Sequence, residues 1–470
     1  MSGFADDPAA WFANDSAAAH RMPRAEAEAL QLAALQARFA ALRDRLPPLA
    51  ALADAQGIDA IDRLEAAAPL LYPHTIYKSY PEQLLAEGDY RGMTRWLSRL
   101  TANDLSAIEA GEFATMDEWM DAIDRSTAVD MYHSSGTTGR LSFYPRGKHE
   151  VRMQVAHSRM TVSDWFDPPR FKHGDWYFSV IWPSHAFGRS MVLRTAQLYR
   201  TLAAETPGDF HPLLPSALSA DFHYHVLRTQ NMRAAGHPFG PVASDYVRAR
   251  HEEAEALRSH APRRIQELLD IIVARTNVGR ILIAGGPVNI HAIAAAGLAR
   301  GMHGVAMPGS VIRTFGGFKN HPGIPTFEAD ITRFTGNPGF MDAFGMTELT
   351  SAFSMCREQR YHIPPWILPL VLDPRTGACL PRRGRQRGRA AFFDLVAQTY
   401  WGGVITADLV DVDWTPCGCG RTSAYMHQGM GRIAEADDED AHIGPAPRHA
   451  IAAAMEALRE GLLPRETVPA

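Results

Sequence analysis

Lysine is scarce in this chain of 470 residues, in which the only lysines are Lys78, Lys148, Lys172 and Lys319 among 47 Lys and Arg. Uncharged apolar runs long enough to span a membrane are missing, and the first twelve residues show no basic segment followed by an apolar one. The formal net charge is only −5, too small for this length to attract nucleic acid or an anionic membrane. We therefore expect a soluble cytoplasmic protein that binds neither nucleic acid nor a membrane.

Cysteine is also scarce, and Cys356, Cys379, Cys417 and Cys419 all lie in the last quarter of the chain. In a reducing compartment such clustering favours thiol or metal chemistry over disulfides. Together with His362, the cysteines other than Cys379 give three thiolates and one imidazole, the ligand set of a closed structural Zn²⁺ site. The alternative is that Cys417 and Cys419 are ordinary small residues in a tight turn without a metal.

A short loop rich in hydroxyl groups and glycine is the clearest motif that the sequence does contain. Glycines allow a close approach to phosphate oxygens, and successive backbone N–H groups and hydroxyls can surround a polyphosphate. No Gly-Lys-Ser/Thr follows, so the loop is not a Walker A motif, and a Ser/Thr/Gly turn between two strands is the alternative. The residues of this loop are Ser134, Ser135, Gly136, Thr137, Thr138 and Gly139.

Strand-like and helix-like segments alternate after this loop. Residues 175–183, 279–287 and 310–320 are rich in β-branched and aromatic residues and are predicted to form strands, whereas 264–275 and 289–301 have helical spacing. This alternation predicts a mostly parallel α/β sheet. Ligands of such sheets bind beyond the carboxyl ends of the strands.

Two residues that follow the first of these strands are candidates for the wall of a substrate pocket. They are His185 and Phe187, in the small polar loop 184–188. A packed, hydrogen-bonded histidine is the alternative interpretation of His185. Aromatic residues nearer the N-terminus are instead predicted to belong to the core or to an interface: Tyr72, Tyr77, Tyr80 and Trp96.

The segment 344–348, with the sequence FGMTE, carries groups suited to a nucleotide and its metal ion. The ring of Phe344 can stack on a base, and Gly345 permits close approach. Thr347 can donate to a phosphate, and Glu348 can hold Mg²⁺, which binds carboxylates and nucleotide phosphates together. A glycine pair, Gly316 and Gly317, and Lys319 come shortly before this segment.

These motifs, in this order, resemble the adenylate-forming superfamily, which activates carboxylic acids as acyl-AMP. Residues 134–140 resemble its phosphate loop, 315–319 its turn beside adenine, and 344–348 its aromatic-Gly-x-Thr-Glu motif. By the same resemblance, Asp408 is the aspartate that binds the ribose hydroxyls and Arg432 is the hinge arginine. The sequence is most similar to the phenylacetate–CoA ligases and to the acyl-protein synthetases of bacterial bioluminescence.

The resemblance, which covers about 131–433, implies a fold and a division of the chain. The expected fold class is α/β, with mixed sheets flanked by helices. We expect an α-rich lead-in region over 1–105, the adenylate-forming core over 106–432, and a short tail over 433–470 in place of the C-terminal lid domain. An amphipathic pattern predicts a helix over 448–463 that packs on the body of the protein.

Basic residues of the family are partly missing from this sequence. The phosphate loop of the family usually continues to Pro-Lys, so a basic phosphate contact would have to come from Arg140, Arg146 or Lys148. The family's lid lysine is expected to be absent, because no lysine follows Lys319. Lys319, an arginine or a partner would then replace it in stabilising the transition state.

The function implied by the resemblance is activation of a carboxylic acid with ATP and Mg²⁺, followed by transfer to a thiol. That thiol belongs to CoA, to a carrier protein or to a protein cysteine. One alternative is a catalytically weak or silent nucleotide-binding subunit of a larger assembly, and another is transfer to an amine with formation of an amide. Several ligases of the similar group have a comparable Cys/His arrangement, but one of the cysteines could instead be an acyl acceptor.

Overall fold

The computed structural model describes residues 3–134, 140–162, 178–205, 208–234, 245–318, 322–336, 340–433 and 444–462. The chain forms two compact units that are interleaved in sequence. The first unit contains residues 1–133, 141–157 and 347–470, and the second contains 134–140 and 158–346. The boundaries near 105 and 432 remain predictions.

The helices account for most of the N-terminal quarter and for the connections between the strands of the second unit. In chain order they are α1 (Pro8–Trp11), α2 (Ser16–Arg21), α3 (Arg24–Leu42), α4 (Pro47–Asp54), α5 (Glu82–Ala86), α6 (Tyr90–Leu97), α7 (Ser106–Glu109), α8 (Met116–Ser126), α9 (Lys148–Val162), α10 (Met191–Ala204), α11 (Ala220–Ala234), α12 (Asp245–Thr276), α13 (Pro287–Ala299), α14 (Phe327–Thr335) and α15 (Arg448–Arg459). Short 3₁₀ helices cover Arg43–Arg45, Leu64–Leu70 and His74–Lys78. Within the described residues, no helix is long and apolar enough to cross a membrane.

The strands are concentrated in the middle and in the last third of the chain. They are β1 (Tyr72–Pro73), β2 (Val129–His133), β3 (Phe143–Gly147), β4 (Phe178–Phe187), β5 (Phe210–Ala217), β6 (Arg280–Gly285), β7 (Val311–Phe315), β8 (Phe340–Phe344), β9 (Phe353–Ser354), β10 (Tyr361–His362), β11 (Ile367–Leu372), β12 (Arg385–Asp394), β13 (Gly403–Asp413), β14 (Tyr425–Met426) and β15 (Gly431–Arg432).

The second unit contains a parallel sheet with the strand order β5-β4-β6-β7-β8. Aliphatic side chains of β4, β6 and β7 pack against α12, α13 and α14, which explains why these strands read as continuous apolar runs. The predicted parallel α/β arrangement is confirmed. The buried core comprises Ile181, Leu268, Leu269, Ile272, Ile281, Ile283, Ile290, Ile293, Ala294, Ile312, Phe327, Ile331 and Phe334.

Gly297 allows α13 and α14 to approach each other closely. A Cβ atom at this position would lie 2.2 Å from the ring of Phe334, which is 1% exposed. Because the ring cannot move out of a packed core without leaving a void, a side chain at 297 would separate the two helices.

The first unit is built around β13. Antiparallel neighbours give the strand order β10-β14-β13-β12-β11, while β1 pairs with β13 in parallel and β15 pairs with it in antiparallel orientation. The strands β2 and β3 form a separate antiparallel hairpin. Ser134 directly follows β2, and β3 begins at Phe143.

The aromatic residues predicted to belong to the core are buried. Tyr72, Tyr77, Tyr80 and Trp96 are each 2% exposed or less. The indole N–H of Trp96 donates to the Ser79 hydroxyl at 3.1 Å. The ring of Trp96 packs edge to face with those of Tyr80 and Phe143. The prediction that these residues pack in the interior is confirmed.

The C-terminal helix α15 packs against α4 in the first unit, as its amphipathic pattern predicts. The last carbonyl groups of a helix have no partner within the helix. Here the Arg99 guanidinium donates to the carbonyls of Leu458 at 2.9 Å and Glu460 at 2.6 Å. The Arg459 Nε donates in turn to the carbonyl of Ser79 at 3.0 Å. Arginines therefore tie the end of this helix to the first unit.

Replacing Leu458 with alanine is expected to lower the free energy of unfolding by about 2–5 kcal/mol, because this side chain is completely buried. Chemical denaturation monitored by circular dichroism measures the change. Glu456→Ala on the exposed face of the same helix is the control and should change stability by less than about 0.5 kcal/mol. Equal effects of the two substitutions would contradict the packing of α15.

Candidate active site

The carboxyl ends of β4, β6, β7 and β8 lie at one edge of the parallel sheet in the second unit. Gly316 and Gly317 follow β7 with φ angles of 76° and 57°, a left-handed conformation that favours glycine. Phe344 is the last residue of β8, and Gly345 comes next. The glycine pair and the aromatic-glycine step therefore share the edge at which ligands of α/β sheets bind.

His185 and Phe187 lie at the same end of β4, and both are half-buried. The His185 Nδ1 is 3.2 Å from the Ser216 hydroxyl, and burial lowers the pKa of this imidazole. The guanidinium of Arg200 lies over the ring of Phe187, 5.0 Å from its centroid. Both side chains therefore lie at the carboxyl end of β4, and their role in a substrate pocket stays a prediction.

A polar pair that sequence reasoning missed joins β7 and β8. The Thr314 hydroxyl donates to the Asp342 carboxylate at 2.6 Å, just before the glycine pair and the aromatic-glycine step. The two residues are 28 positions apart in the sequence, and only the register of the parallel strands pairs them. This bond fixes the ends of both strands relative to each other.

Several predicted site residues lie outside the described residues: Ser135, Gly136, Thr137, Thr138, Gly139 and Lys319. Ser134 is described and comes directly after His133, the last residue of β2. In the sequence, Ser134 thus lies between β2 and β3, and the phosphate role of the loop stays a prediction.

The motif 344–348 crosses the boundary between the units, and its Thr347 and Glu348 belong to the first unit. The Tyr144 hydroxyl donates to the Glu348 Oε1 at 2.9 Å. Burial raises the pKa of Tyr144 well above its usual value, so the phenol keeps its proton. The ring of Tyr77 lies 4.3 Å from that of Tyr144 and holds it in place. Glu348 itself is half-buried.

Arg146 does not lie where a phosphate could contact it. Its side chain is 1% exposed, and its Nη2 donates to the carbonyl oxygens of Thr347 at 2.6 Å and of Leu349. The ring of Tyr132 lies 4.9 Å from the guanidinium carbon. The hypothesis that Arg146 contacts a phosphate is therefore wrong, because the side chain is buried and its Nη2 is bonded to the backbone on both sides of Glu348.

Asp408 and Arg432 face each other as register partners on β13 and β15. Burial raises the pKa of the Asp408 carboxyl, Arg432 opposes this effect, and the charge of Glu348 adds to it. The backbone N–H of Asp408 is bonded to the Thr406 hydroxyl at 3.0 Å. The residues predicted as ribose aspartate and hinge arginine are therefore adjacent in the sheet, and the charge of Glu348 acts on the same Asp408 carboxyl.

A second cluster in the first unit contains Cys356, His362, Cys417 and Cys419, whose ligand atoms all lie within 4.8 Å of one another. The Sγ atoms of Cys356 and Cys417 are 4.0 Å apart, and the Cys419 Sγ is 3.3 Å from the His362 Nε2. In a tetrahedral Zn²⁺ site with Zn–S bonds of about 2.3 Å, sulfur atoms are about 3.8 Å apart. The predicted set of ligands is therefore brought together with distances that fit zinc.

Two turns of the same type present the cysteines. The N–H of Cys356 donates to the carbonyl of Arg360, and its carbonyl accepts from the N–H of Gln359. Cys417 makes the equivalent bonds four and three residues on, to Arg421 and from Gly420. Each turn contains a residue with positive φ at the third position after the cysteine, Gln359 with 55° and Gly420 with 91°.

The other nitrogen of His362 is also engaged. Its Nδ1 is 3.1 Å from the Ser423 hydroxyl, which lies 2.9 Å from the Nδ1 of His20. Burial lowers the pKa of His362 to about 3 and that of His20 well below its usual value, so both imidazoles are neutral. Ligating histidines usually have such an outer partner, which fixes the tautomer. His20 and Ser423 escaped sequence reasoning because neither belongs to a ligand motif.

No protein-family model matches the sequence, and no curated protein matches it. Solved structures do match. An open conformation of 2-hydroxyisobutyryl-CoA ligase, in complex with 2-HIB-AMP and CoA, is 15% identical over 89% of this chain and 77% of its own, with a TM-score of 0.51. The same ligase in the postadenylation state with 2-HIB-AMP is 14% identical over 89% and 70%, with a TM-score of 0.53.

The chain has the adenylate-forming ligase fold. This result confirms the predicted fold class. At 14–15% identity the likeness concerns the fold, so the substrate and the acceptor have to be argued from the residues of this chain.

Proposed function

We propose that this protein activates a carboxylic acid with ATP and Mg²⁺ as an acyl-adenylate and transfers the acyl group to a thiol. The observation that carries the proposal is the pairing of Asp408 with Arg432, with the charge of Glu348 acting on Asp408, in a protein with the adenylate-forming ligase fold. Glu348 is half-buried, with one oxygen bonded to Tyr144. A carboxylate in this state can bind a metal ion through its other oxygen.

In the first step a carboxylate oxygen of the acid attacks the α-phosphorus of ATP, and the bond to pyrophosphate breaks. Positioning and the neutralisation of negative charge are what the protein has to supply. Glu348 is proposed to hold the Mg²⁺ that shields the phosphates, and Thr347 to donate to a phosphate oxygen. Lys319 is proposed to stabilise the charge that develops in the transition state.

Binding roles are proposed for the predicted residues of each unit separately. Asp408 binds the ribose hydroxyls, with Arg432 as its charged neighbour. The sheet edge that carries Gly316, Gly317, Phe344 and Gly345 binds adenine, and His185 and Phe187 line the pocket for the acid. The loop Ser134, Ser135, Gly136, Thr137, Thr138 and Gly139 holds the departing pyrophosphate.

In the second step a thiolate attacks the carbonyl carbon of the acyl-adenylate, and AMP leaves. The thiol is that of CoA, of a carrier protein or of a protein cysteine. An amine in the same place would give an amide. Cys417 is a poor candidate for the acceptor, because burial raises the pKa of its thiol to about 12.

Zn²⁺ is proposed as a structural ion of the cluster Cys356, His362, Cys417 and Cys419. The distances among the ligand atoms and the outer partner of His362 support this proposal. With four protein ligands the site is closed, so the ion would join the turn after β9 to the turn after β13 rather than take part in the reaction.

Pyrophosphate release tests the proposal. The protein is incubated with ATP, Mg²⁺ and a panel of carboxylic acids of different size, and hydroxylamine is added to trap acyl-adenylate as hydroxamate. We expect release of pyrophosphate and hydroxamate with at least one acid, and consumption of the adenylate when the correct thiol replaces hydroxylamine. Binding of ATP without turnover of any acid would instead support a silent nucleotide-binding subunit.

A further inference from the structure

Glu348 sits in a turn whose backbone is held from both sides by one side chain. The Arg146 Nη2 donates to the carbonyl of Thr347, which precedes Glu348, and to the carbonyl of Leu349, which follows it. A planar guanidinium fixes the direction of its bonds more strictly than an ammonium group does. The position of the Glu348 Cα is therefore set by Arg146.

The side chain of Glu348 is held as well, by a different residue. The Tyr144 hydroxyl is bonded to the Oε1, and among the described residues no other donor contacts this carboxylate. Tyr144 and Arg146 both lie on β3, two positions apart, so they point to the same face of this strand. A single strand therefore holds both the backbone and one carboxylate oxygen.

The buried positive charge of Arg146 has neighbours that stabilise it. The ring of Tyr132 lies under the charge, and Asp394 and Glu150 are close enough to interact with it. Burial alone would lower the pKa of Arg146, but Tyr400, Tyr132 and the two carboxylates outweigh burial and raise it. The cation is thus retained in the interior, where it can act on the turn.

We infer that Arg146 and Tyr144 are positioning residues for the proposed magnesium carboxylate. Arg146 fixes the turn 347–349, and Tyr144 occupies Oε1 of Glu348, which orients Oε2 toward the metal ion. This inference rests on the proposed function, and neither residue touches the substrate or the metal.

The first test compares Tyr144→Phe with Tyr80→Phe. Both substitutions remove one buried tyrosine hydroxyl bond, and Tyr80 bonds to the carbonyl of Leu141 rather than to Glu348. Pyrophosphate release is measured against Mg²⁺ concentration. We expect the Mg²⁺ concentration at half-maximal rate to rise on the order of 10-fold for Tyr144→Phe, which is typical for loss of a hydrogen bond to a metal ligand. For Tyr80→Phe this concentration should stay unchanged.

Binding of Mn²⁺ in the presence of a non-hydrolysable ATP analogue, followed by electron paramagnetic resonance, separates this inference from the proposed function. We expect Tyr144→Phe to bind Mn²⁺ more weakly than the unmodified protein and Tyr80→Phe to bind it equally well, and this measurement requires no turnover. Unmodified protein that binds no Mn²⁺ with the nucleotide would contradict the proposed function. Normal Mn²⁺ binding by Tyr144→Phe, or an equal loss for Tyr80→Phe, would overturn the inference alone.

Arg146 is tested with a conservative and a non-conservative substitution. Arg146→Met keeps the approximate volume without charge or donors, and we expect kcat to fall on the order of 100-fold with little change in the KM for the acid. Arg146→Lys should restore part of kcat. A folded Arg146→Met protein with unchanged kcat and Mg²⁺ dependence would refute the role of Arg146. If Arg146→Met does not fold, Arg146→Lys decides, because unchanged kcat and Mg²⁺ dependence in that variant would refute the role equally.

Discussion

Replacing Glu348 with glutamine is expected to lower the rate of pyrophosphate release by on the order of 100-fold or more. A metal ion supplies several kcal/mol of transition-state stabilisation, and about 1.4 kcal/mol corresponds to a factor of ten in rate. Glutamine has the same size, and its amide oxygen can still accept the Tyr144 hydroxyl. Loss of the negative charge is therefore almost the only change, and a coupled pyrophosphate assay measures its effect.

Stability has to be measured alongside, because a partly folded variant would also lose activity. We expect the melting temperature of Glu348→Gln to differ little from that of the unmodified protein, since Glu348 is half-buried and its one hydrogen bond is retained. Glu87→Gln, at an exposed position, is the matched control and should keep full activity. Undiminished pyrophosphate release by Glu348→Gln would disprove the magnesium role.

Replacing Cys417 with serine is expected to abolish zinc binding and to lower the free energy of unfolding by about 4 kcal/mol or more. Loss of a structural metal is among the few mechanisms that cause effects of this size. Cys417 is 7% exposed, so this substitution removes a buried ligand of the proposed site. Metal analysis by inductively coupled plasma mass spectrometry should find about one Zn²⁺ per chain before the substitution, and denaturation gives the stability.

The fourth cysteine provides the control for this experiment. Cys379 is not part of the cluster, and burial raises the pKa of its thiol to about 11, so it remains protonated. Cys379→Ser should therefore keep the zinc content of the unmodified protein. Absence of zinc from the unmodified protein would contradict the metal site. It would support the alternative that Cys419 is a reactive thiol, which alkylation and mass spectrometry would detect.

Local patterns in the sequence correctly predicted several strands and helices of the α/β fold. The apolar runs at 279–287 and 310–320 became β6 and β7 because a strand covered on both faces must be apolar throughout. The helical spacing at 264–275 lies within α12, which extends further in the N-terminal direction. The start of α12 was missed because residues 245–263 are strongly charged and show little apolar periodicity.

The contacts that hold Glu348 in place could not be predicted from the sequence. Arg146 was one of three candidates for a phosphate contact because it is basic and follows the loop at 134–139, yet it is buried and bonded to the backbone on both sides of Glu348. About 200 residues separate Tyr144 and Arg146 from the turn that they hold. Local periodicity contains no information about which distant strand passes beneath a turn.

The sequence by itself determined the order of the motifs, the parallel α/β alternation and the four zinc-type ligands, since each depends on residue types at short spacing. Tertiary structure alone decided that Tyr144 and Arg146 hold Glu348, that Asp408 faces Arg432, and that Ser423 links His362 to His20. These contacts depend on strand register and on packing between distant segments. Residue type does not show which side chains are buried, which is why Arg146, one of three basic candidates for a phosphate contact, lies in the interior and is bonded to the turn around Glu348.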